Sequence, residues 1–246
     1  MITNTPFFVF DVESIGLHGE GFAVGGGIYP PNGEAPVGEF LYACPPSSAE
    51  GPDAGREWVG NNVPCIDPTH PSPDAVRGAF WEQWMDAKRR FLDILMAADC
   101  GWPVEARFLS QCVDGFRGER ELQGPYPFHE IASIMEAAGM NPMQKYDRKE
   151  RERPEHNPLA DARQSARLLF EAVTIIHKAN PHRSPVGFAT CDVCGNRLIE
   201  VSGRYPNDAR RLVCPTCLAC RNDMIREISD PSYGQTASDP SNAKAQ

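Results

Sequence analysis

The sequence predicts an α/β fold in which a sheet is flanked by helices and followed by a small cysteine-rich module. Three observations support this prediction. Residues 7–44 hold three strand-like segments, residues 74–180 hold apolar patterns with helical spacing, and five of the nine cysteines lie between residues 191 and 220. Since strand and helix signals are both strong, an α/β class is favoured. The 246 residues are enough to bury a sizeable core.

The first strand-like segments predict a sheet that begins as a meander. Residues 7–10 form a continuous aromatic and β-branched run, which is typical of a buried central strand. Residues 22–29 and 37–44 predict two further strands, and residues 31–34 between them read Pro-Asn-Gly-Glu, a hairpin turn signal. We therefore expect three sequential antiparallel strands.

The remainder of the larger domain is predicted to be mainly helical. Residues 45–73 are rich in Pro, Gly, Asn and Ser, which indicates a long irregular loop. The expected helices cover residues 74–98, 104–113, 128–138 and 158–180, with a short strand over residues 99–102. Residues 144–155 mix acidic and basic side chains and predict a solvated loop. Asn157 and Pro158 then supply an N-cap and a first-position proline for the final helix.

Composition and charge limit the classes of function. No apolar run approaches the ~20 residues of a membrane span, and no basic region precedes the apolar N-terminal stretch. We expect a cytoplasmic protein without membrane contact. The net charge of -9 argues against tight, non-specific coating of a long nucleic acid. Residues 1–100 carry 14 acidic and five basic side chains, whereas residues 141–183 carry six acidic and nine basic ones. The basic excess of the second region is compatible with brief binding of one nucleic-acid end.

Four polar residues occupy the ends of predicted elements. Asp11 and Glu13 follow the apolar strand and, being two positions apart, point to one face. Such paired acids predict a site for Mg²⁺ or Mn²⁺, and the alternative is the start of a solvated loop. His156 precedes the last helix and Asp161 lies in its first turn. The alternative for this pair is an exposed histidine and an acid favoured by the helix dipole.

The two motifs together carry a family resemblance. An apolar strand ends in Asp11-x-Glu13-Ser-x-Gly-Leu17, and His156-x-x-x-x-Asp161-Ala follows 145 residues after the first aspartate. This pattern resembles the DEDDh family of 3′-5′ exonucleases, the group of ribonuclease T, oligoribonuclease and polymerase proofreading subunits. The resemblance covers roughly residues 5–180. It implies a ribonuclease H-like mixed sheet, in which the antiparallel three-strand meander is joined by parallel strands and flanked by helices.

The family's second motif is altered in this chain. The family places an Asp before an aromatic or aliphatic helical pair, and here residues 102–109 carry Glu105 at that position. Glutamate keeps the charge but is one methylene longer, so metal geometry and the level of activity are affected. Asp99 is an alternative contributor, although it falls six residues earlier.

The resemblance implies a metal-dependent exonuclease that removes nucleoside 5′-monophosphates from the 3′ end of single-stranded RNA or DNA. Four carboxylates would hold two Mg²⁺ or Mn²⁺ ions: Asp11, Glu13, Glu105 and Asp161. His156 would act as the general base on the attacking water. Ser14 and Leu17 would contact substrate, with Leu17 packed against the terminal base. Several family members act as dimers, so a homodimer is among the expected assemblies.

The cysteine-rich module predicts a zinc ribbon. Cys191-x-x-Cys194 and Cys214-x-x-Cys217 are separated by 19 residues, which fits a four-thiolate structural Zn²⁺ site. Cys220 forms a third pair with Cys217, so the fourth ligand stays open. Reduced thiols or a redox pair are the alternatives. Residues 197–201 and 210–213 are expected to form short paired strands between the knuckles.

The predicted organisation is an exonuclease domain (residues 1–180), a linker (181–190), a zinc ribbon (191–228) and a disordered tail (229–246). The arginines of the ribbon suit phosphate contacts, while docking of a protein partner is an alternative. A second function class also fits the sequence. It is a catalytically weak, exonuclease-like adaptor in which Glu105 impairs hydrolysis and the ribbon binds a nucleic acid or a protein.

Overall fold

The computed structural model describes residues 5–31 and 35–179, and the backbone of residues 199–201 and 211–213. The chain divides into two units, residues 1–186 and 187–246. No helix in the part of the chain just defined combines the length and the hydropathy required to cross a membrane.

The first unit contains a mixed five-stranded sheet. Its strands are β1 (Phe7–Ser14), β2 (Gly21–Tyr29), β3 (Gly38–Ala43), β4 (Leu95–Ala98) and β5 (Phe128–Glu130). The order across the sheet is β3-β2-β1-β4-β5. Strands β1, β2 and β3 pair antiparallel, whereas β4 is parallel to both β1 and β5. The predicted antiparallel meander and the added parallel strands are therefore confirmed.

Six α-helices accompany the sheet in the described residues, and several predicted elements were wrong. The strand predicted over residues 99–102 lies earlier, at Leu95–Ala98, and residues 128–130, predicted to begin a helix, form β5. The helices are α1 (Asp53–Asn62), α2 (Pro73–Arg90), α3 (Ala106–Asp114), α4 (Arg117–Arg120), α5 (Ile131–Ala137) and α6 (Pro158–Ala179). Helix α1 lies inside the segment predicted to be an irregular loop. Helix α2 ends at Arg90, eight residues before the predicted end, because the apolar run after it forms β4 beside β1. A short apolar run does not distinguish a helix from a buried strand.

The core lies on both faces of β1, whose side chains alternate. Phe8 and Phe10 pack against Phe80 of α2, whereas Phe7 and Val9 face α5 and α6. Trp84 is buried beside Phe8, which agrees with a packing role for this tryptophan. Since the side-chain period of a strand is two, Asp11 and Glu13 continue the face that looks toward α6.

A glycine in β2 allows α6 to approach the sheet closely. A Cβ atom at Gly25 would lie 2.2 Å from the backbone nitrogen of Leu159 in the first turn of α6. Gly25 pairs with Asp11 in the β1–β2 register, so the start of α6 lies beside Asp11. The predicted N-cap is also present, because Asn157 Oδ1 accepts hydrogen bonds from the N–H groups of Leu159 and Ala160, both at 3.2 Å.

The described part of the second unit is a pair of antiparallel strands, β6 (Ile199–Val201) and β7 (Arg211–Val213). This confirms the strand pairing expected between the two cysteine knuckles. The predicted zinc ligands Cys191, Cys194, Cys214 and Cys217 lie outside the described residues, as do Cys220, the predicted linker and the predicted tail.

Candidate active site

The end of β1 supplies the first acids of the site. Asp11 is partly buried and Glu13 is 7% exposed. The chain then turns at Gly16, whose φ of 75° is a left-handed conformation that favours glycine. The hydroxyl of Ser14 donates to the Gly16 carbonyl at 2.9 Å and so stabilises this turn. Leu17 follows on the surface with 66% of its area exposed.

Glu105 reaches β1 from a separate segment. It ends an irregular turn, Gly101–Glu105, and its side chain is buried. The backbone N–H of Val12, which lies between Asp11 and Glu13 on the strand, lowers the pKa of the Glu105 carboxyl and opposes the larger effect of burial. Asp99, which directly follows β4, is also close enough for its charge to raise the pKa of Asp11. The altered second motif therefore brings two acids toward the strand end.

The third segment is the start of α6 with the loop before it. Asp161 Oδ2 accepts a hydrogen bond from the backbone N–H of His156 at 3.0 Å, and Asp161 Oδ1 accepts one from the Arg148 guanidinium. His156 has a φ of 61°, an uncommon left-handed conformation for a residue other than glycine. Such conformations cluster at functional sites, where the surrounding contacts maintain them.

These segments converge on one acidic cluster. Glu13, His156 and Asp161 each offer a potential ligand atom, and these atoms all lie within 4.8 Å of one another. The Nδ1 atom of His156 is 3.7 Å from Glu13 Oε1. Asp11 and Glu105 interact electrostatically with the same group, so the site contains every carboxylate that the sequence singled out.

The carboxylates raise one another's pKa values. Burial, followed by the charges of Glu105, Asp161 and Glu13, raises the pKa of Asp11 well above its ordinary value. Burial and the neighbouring acids raise the pKa of Glu13 to about 8, and burial raises that of Glu105 to about 7. Burial also raises the pKa of Asp161, although Arg148 opposes this shift. A cluster of hard oxygen ligands with excess negative charge suits divalent cations such as Mg²⁺ or Mn²⁺.

Two neighbours of the site were missed by the sequence analysis. Arg148 lies in the segment predicted to be solvated, yet its side chain is 16% exposed and pairs with Asp161. Mixed-charge composition gave no indication of this pairing. Trp58 lies on the unpredicted helix α1, and its ring contacts the His156 ring with centroids 5.0 Å apart. The apolar periodicity around Trp58 is weak, so no local pattern indicated its place.

Comparison with known proteins gives similarity only at the level of structure. No protein-family model and no curated protein matches the sequence. The structure of S. pombe Pop2p in its Mg²⁺- and Mn²⁺-bound form has a TM-score of 0.49 and 15% identity, over 68% of this chain and 82% of that chain. The cell-death related nuclease CRN-4 has a TM-score of 0.42 and 14% identity, over 71% of this chain and 66% of that chain.

A third structure in this group is the nuclease domain of 3′hExo, a DEDDh family member, bound to rAMP. It has a TM-score of 0.39 and 14% identity, over 70% of this chain and 92% of that chain. All three structures are less than 25% identical to this chain, and all three TM-scores are below 0.5.

Proposed function

We propose that the protein is a metal-dependent 3′-5′ exonuclease of the DEDDh type, acting on single-stranded RNA or DNA. The observation that carries the proposal is the convergence of four acids from three separate segments beside one histidine. The acids are Asp11, Glu13, Glu105 and Asp161. Their sequence pattern is also the one that resembles this family. The 3′ polarity and the release of nucleoside 5′-monophosphates are part of the proposal that comes from the resemblance.

The donor set fits a pair of divalent ions. The four carboxylates would hold the ions, and the charges of the other three acids all raise the pKa of Asp11. When bound, two such ions would activate the attacking water and stabilise the leaving oxygen. The positive charge would also relieve the repulsion that raises the pKa values of these acids.

His156 is proposed to act as the general base. Its side chain is 39% exposed, so a water molecule can reach it, and its Nδ1 atom lies near Glu13. A neutral imidazole accepts a proton from a water molecule near neutral pH. The hydrogen bond from the His156 N–H group to Asp161 fixes the His156 backbone next to the carboxylates that are proposed to bind metal.

Glu105 is proposed to replace the family's aspartate as a ligand. Despite the extra methylene, its carboxyl is buried close enough to β1 for its charge to raise the pKa values of Asp11 and Glu13. The adaptor alternative depends on the loss of this ligand and is therefore not favoured. Leu17, exposed beside the site, is proposed to pack against the terminal base. A structural Zn²⁺ bound by the four cysteines of the second unit remains a separate proposal.

The test uses matched RNA and DNA oligonucleotides of one sequence, labelled at the 5′ end, with Mn²⁺ or Mg²⁺ and with EDTA as the blank. We expect a ladder that shortens from the 3′ end, release of nucleoside 5′-monophosphates, and no cleavage of a circular strand. Asp11→Asn is the matched inactive control. If the wild type and this variant bind the strands equally and neither shortens them, the exonuclease proposal is wrong.

A further inference from the structure

We propose that Trp58 is a positioning residue that holds the imidazole ring of His156 over the acidic cluster. This inference rests on the proposed function, in which His156 is the general base. It makes α1 part of the catalytic apparatus, although α1 contributes no acid to it.

The backbone contacts of His156 do not fix its ring. The N–H hydrogen bond to Asp161 and the left-handed φ determine where the Cα atom lies, and both side-chain torsions can still rotate. Glu13 and Asp161 are polar neighbours of the ring, and the distance of 3.7 Å from Nδ1 to Glu13 Oε1 exceeds that of a hydrogen bond. A further contact is required to keep a side chain with 39% exposure in one orientation.

Trp58 provides such a contact. The two ring centroids are 5.0 Å apart and the ring planes meet at 81°, an edge-to-face arrangement. Aromatic rings prefer this geometry at centroid distances of 4.5 to 7 Å. The imidazole therefore contacts the indole and also lies near the Glu13 carboxylate, and the two neighbours together restrict its rotation.

Helix α1 holds the backbone of Trp58 beside the end of β1, and 44% of the Trp58 surface remains exposed. A Cβ atom at Gly55, one turn earlier in α1, would lie 2.8 Å from the Gly16 nitrogen, so α1 packs directly on the turn that follows Glu13. Val59, next to Trp58, is 5% exposed and belongs to the core. One compact arrangement thus links the strand end that carries Glu13, the helix that carries Trp58 and the ring of His156.

A double-mutant cycle distinguishes positioning from direct substrate contact. We expect Trp58→Ala to lower kcat about tenfold to a hundredfold with little change in KM, as is usual when a residue that orients a catalytic group is lost. Trp58→Phe keeps an aromatic edge and should retain most activity. In the His156→Ala background, Trp58→Ala should have no further effect. Glu57→Ala, exposed on the same helix, is the matched control and should match the wild type.

An equal loss in both backgrounds, or an effect confined to KM, would show that Trp58 contacts the substrate and would overturn the proposal. Trp58→Leu provides a second variant that fills the surface of α1 without an aromatic ring. Thermal unfolding of each variant identifies any loss of activity that comes from unfolding of α1.

A spectroscopic measurement tests the contact between the Trp58 and His156 rings without requiring catalysis. In the proton spectrum of the metal-free protein, the His156 ring resonance is assigned by its absence in His156→Ala. We expect Trp58→Leu to shift this resonance through loss of the indole ring current, with the other five histidines as the reference. An unmoved resonance overturns the positioning proposal even in an active enzyme. If the resonance moves and the wild type cleaves nothing, the contact stands and the exonuclease proposal fails.

Discussion

Helix α6 takes part in two charged regions of opposite character. In its first turn, Asp161 joins a cluster of acids that raise one another's pKa values. Further along, Arg163 donates to both oxygens of Glu39 at 2.8 and 2.7 Å, and Arg167 donates to both oxygens of Glu152 at 2.7 and 2.9 Å. We call the second region the paired network.

The acids of the two regions respond to their surroundings in opposite directions. The hydrogen bond from Arg163 is the main cause of a lowered pKa at Glu39. Burial alone would raise the pKa of Glu152, but hydrogen bonds from Arg167 and from the Lys149 N–H group lower it overall. The comparison shows that acids contacting the same half of one helix differ in the direction of their pKa shifts. Guanidinium partners lower the pKa in the paired network, whereas burial and like charges raise it in the acidic cluster.

The largest expected effect is on activity at the acidic cluster. Asp11→Asn removes the carboxylate charge that lies near all the other acids of the cluster. The rate of hydrolysis should therefore fall by more than about a hundredfold. Initial rates with Mn²⁺ on the 5′-labelled strands measure this loss. Glu57→Gln is a control at an exposed position and should retain activity. A variant within tenfold of the wild type would place the metal site elsewhere.

The next effect is on stability at the paired network. Arg167→Met leaves the Glu152 carboxylate, whose side chain is 5% exposed, without its guanidinium partner. We expect a loss of about 2 to 3 kcal/mol in the free energy of unfolding, measured with urea. Arg89→Met removes an exposed partner of Asp86 and should cost less than about 0.5 kcal/mol. Equal losses would mean that burial does not distinguish the two pairs.

The third effect is a gain in the stability of the metal-free protein. Because the pKa of Glu13 is raised to about 8, folding of the metal-free protein loses stability as the pH rises from about 4.5 to 8. Glu13→Gln should reduce this slope, to which Asp11, Glu105 and Asp161 also contribute, and stabilise the protein in EDTA at pH 8 by on the order of 1 to 2 kcal/mol. Adding Mn²⁺ should stabilise the wild type more than the variant. A destabilised variant in EDTA would contradict the repulsion described here.

The smallest effect concerns Glu39. Its pKa is lowered below the ordinary value of 4.5, so the stability that it contributes is present above pH 4.5 and is lost as the pH falls through the folded-state value. Glu39→Gln should cost about 1 kcal/mol at pH 7. The gap between variant and wild type should close in urea titrations at successively lower pH. A gap that persists under acid conditions would indicate a role in packing instead.

The sequence predicted the parts of the site that depend on local pattern. Asp11 and Glu13 follow a strand whose apolar run is unmistakable, and Asp161 follows an N-cap that has a clear signal. Helix α1 and Arg148 could not be predicted in the same way. Helix α1 depends on the fit of Gly55 against Gly16, and the pairing of Arg148 with Asp161 depends on the path of a loop. Both are set by tertiary packing, which overrides composition and periodicity.

The close approach at Gly25 has a consequence for interpreting genetic variants. This residue has no side chain and takes no part in the chemistry, yet a single added methyl group would meet the first turn of α6 and move Asp161 away from Asp11. The four acids and the histidine would all remain in the sequence. A glycine-to-alanine change at this position is chemically mild and would be judged harmless, although it would separate the two halves of the proposed metal site.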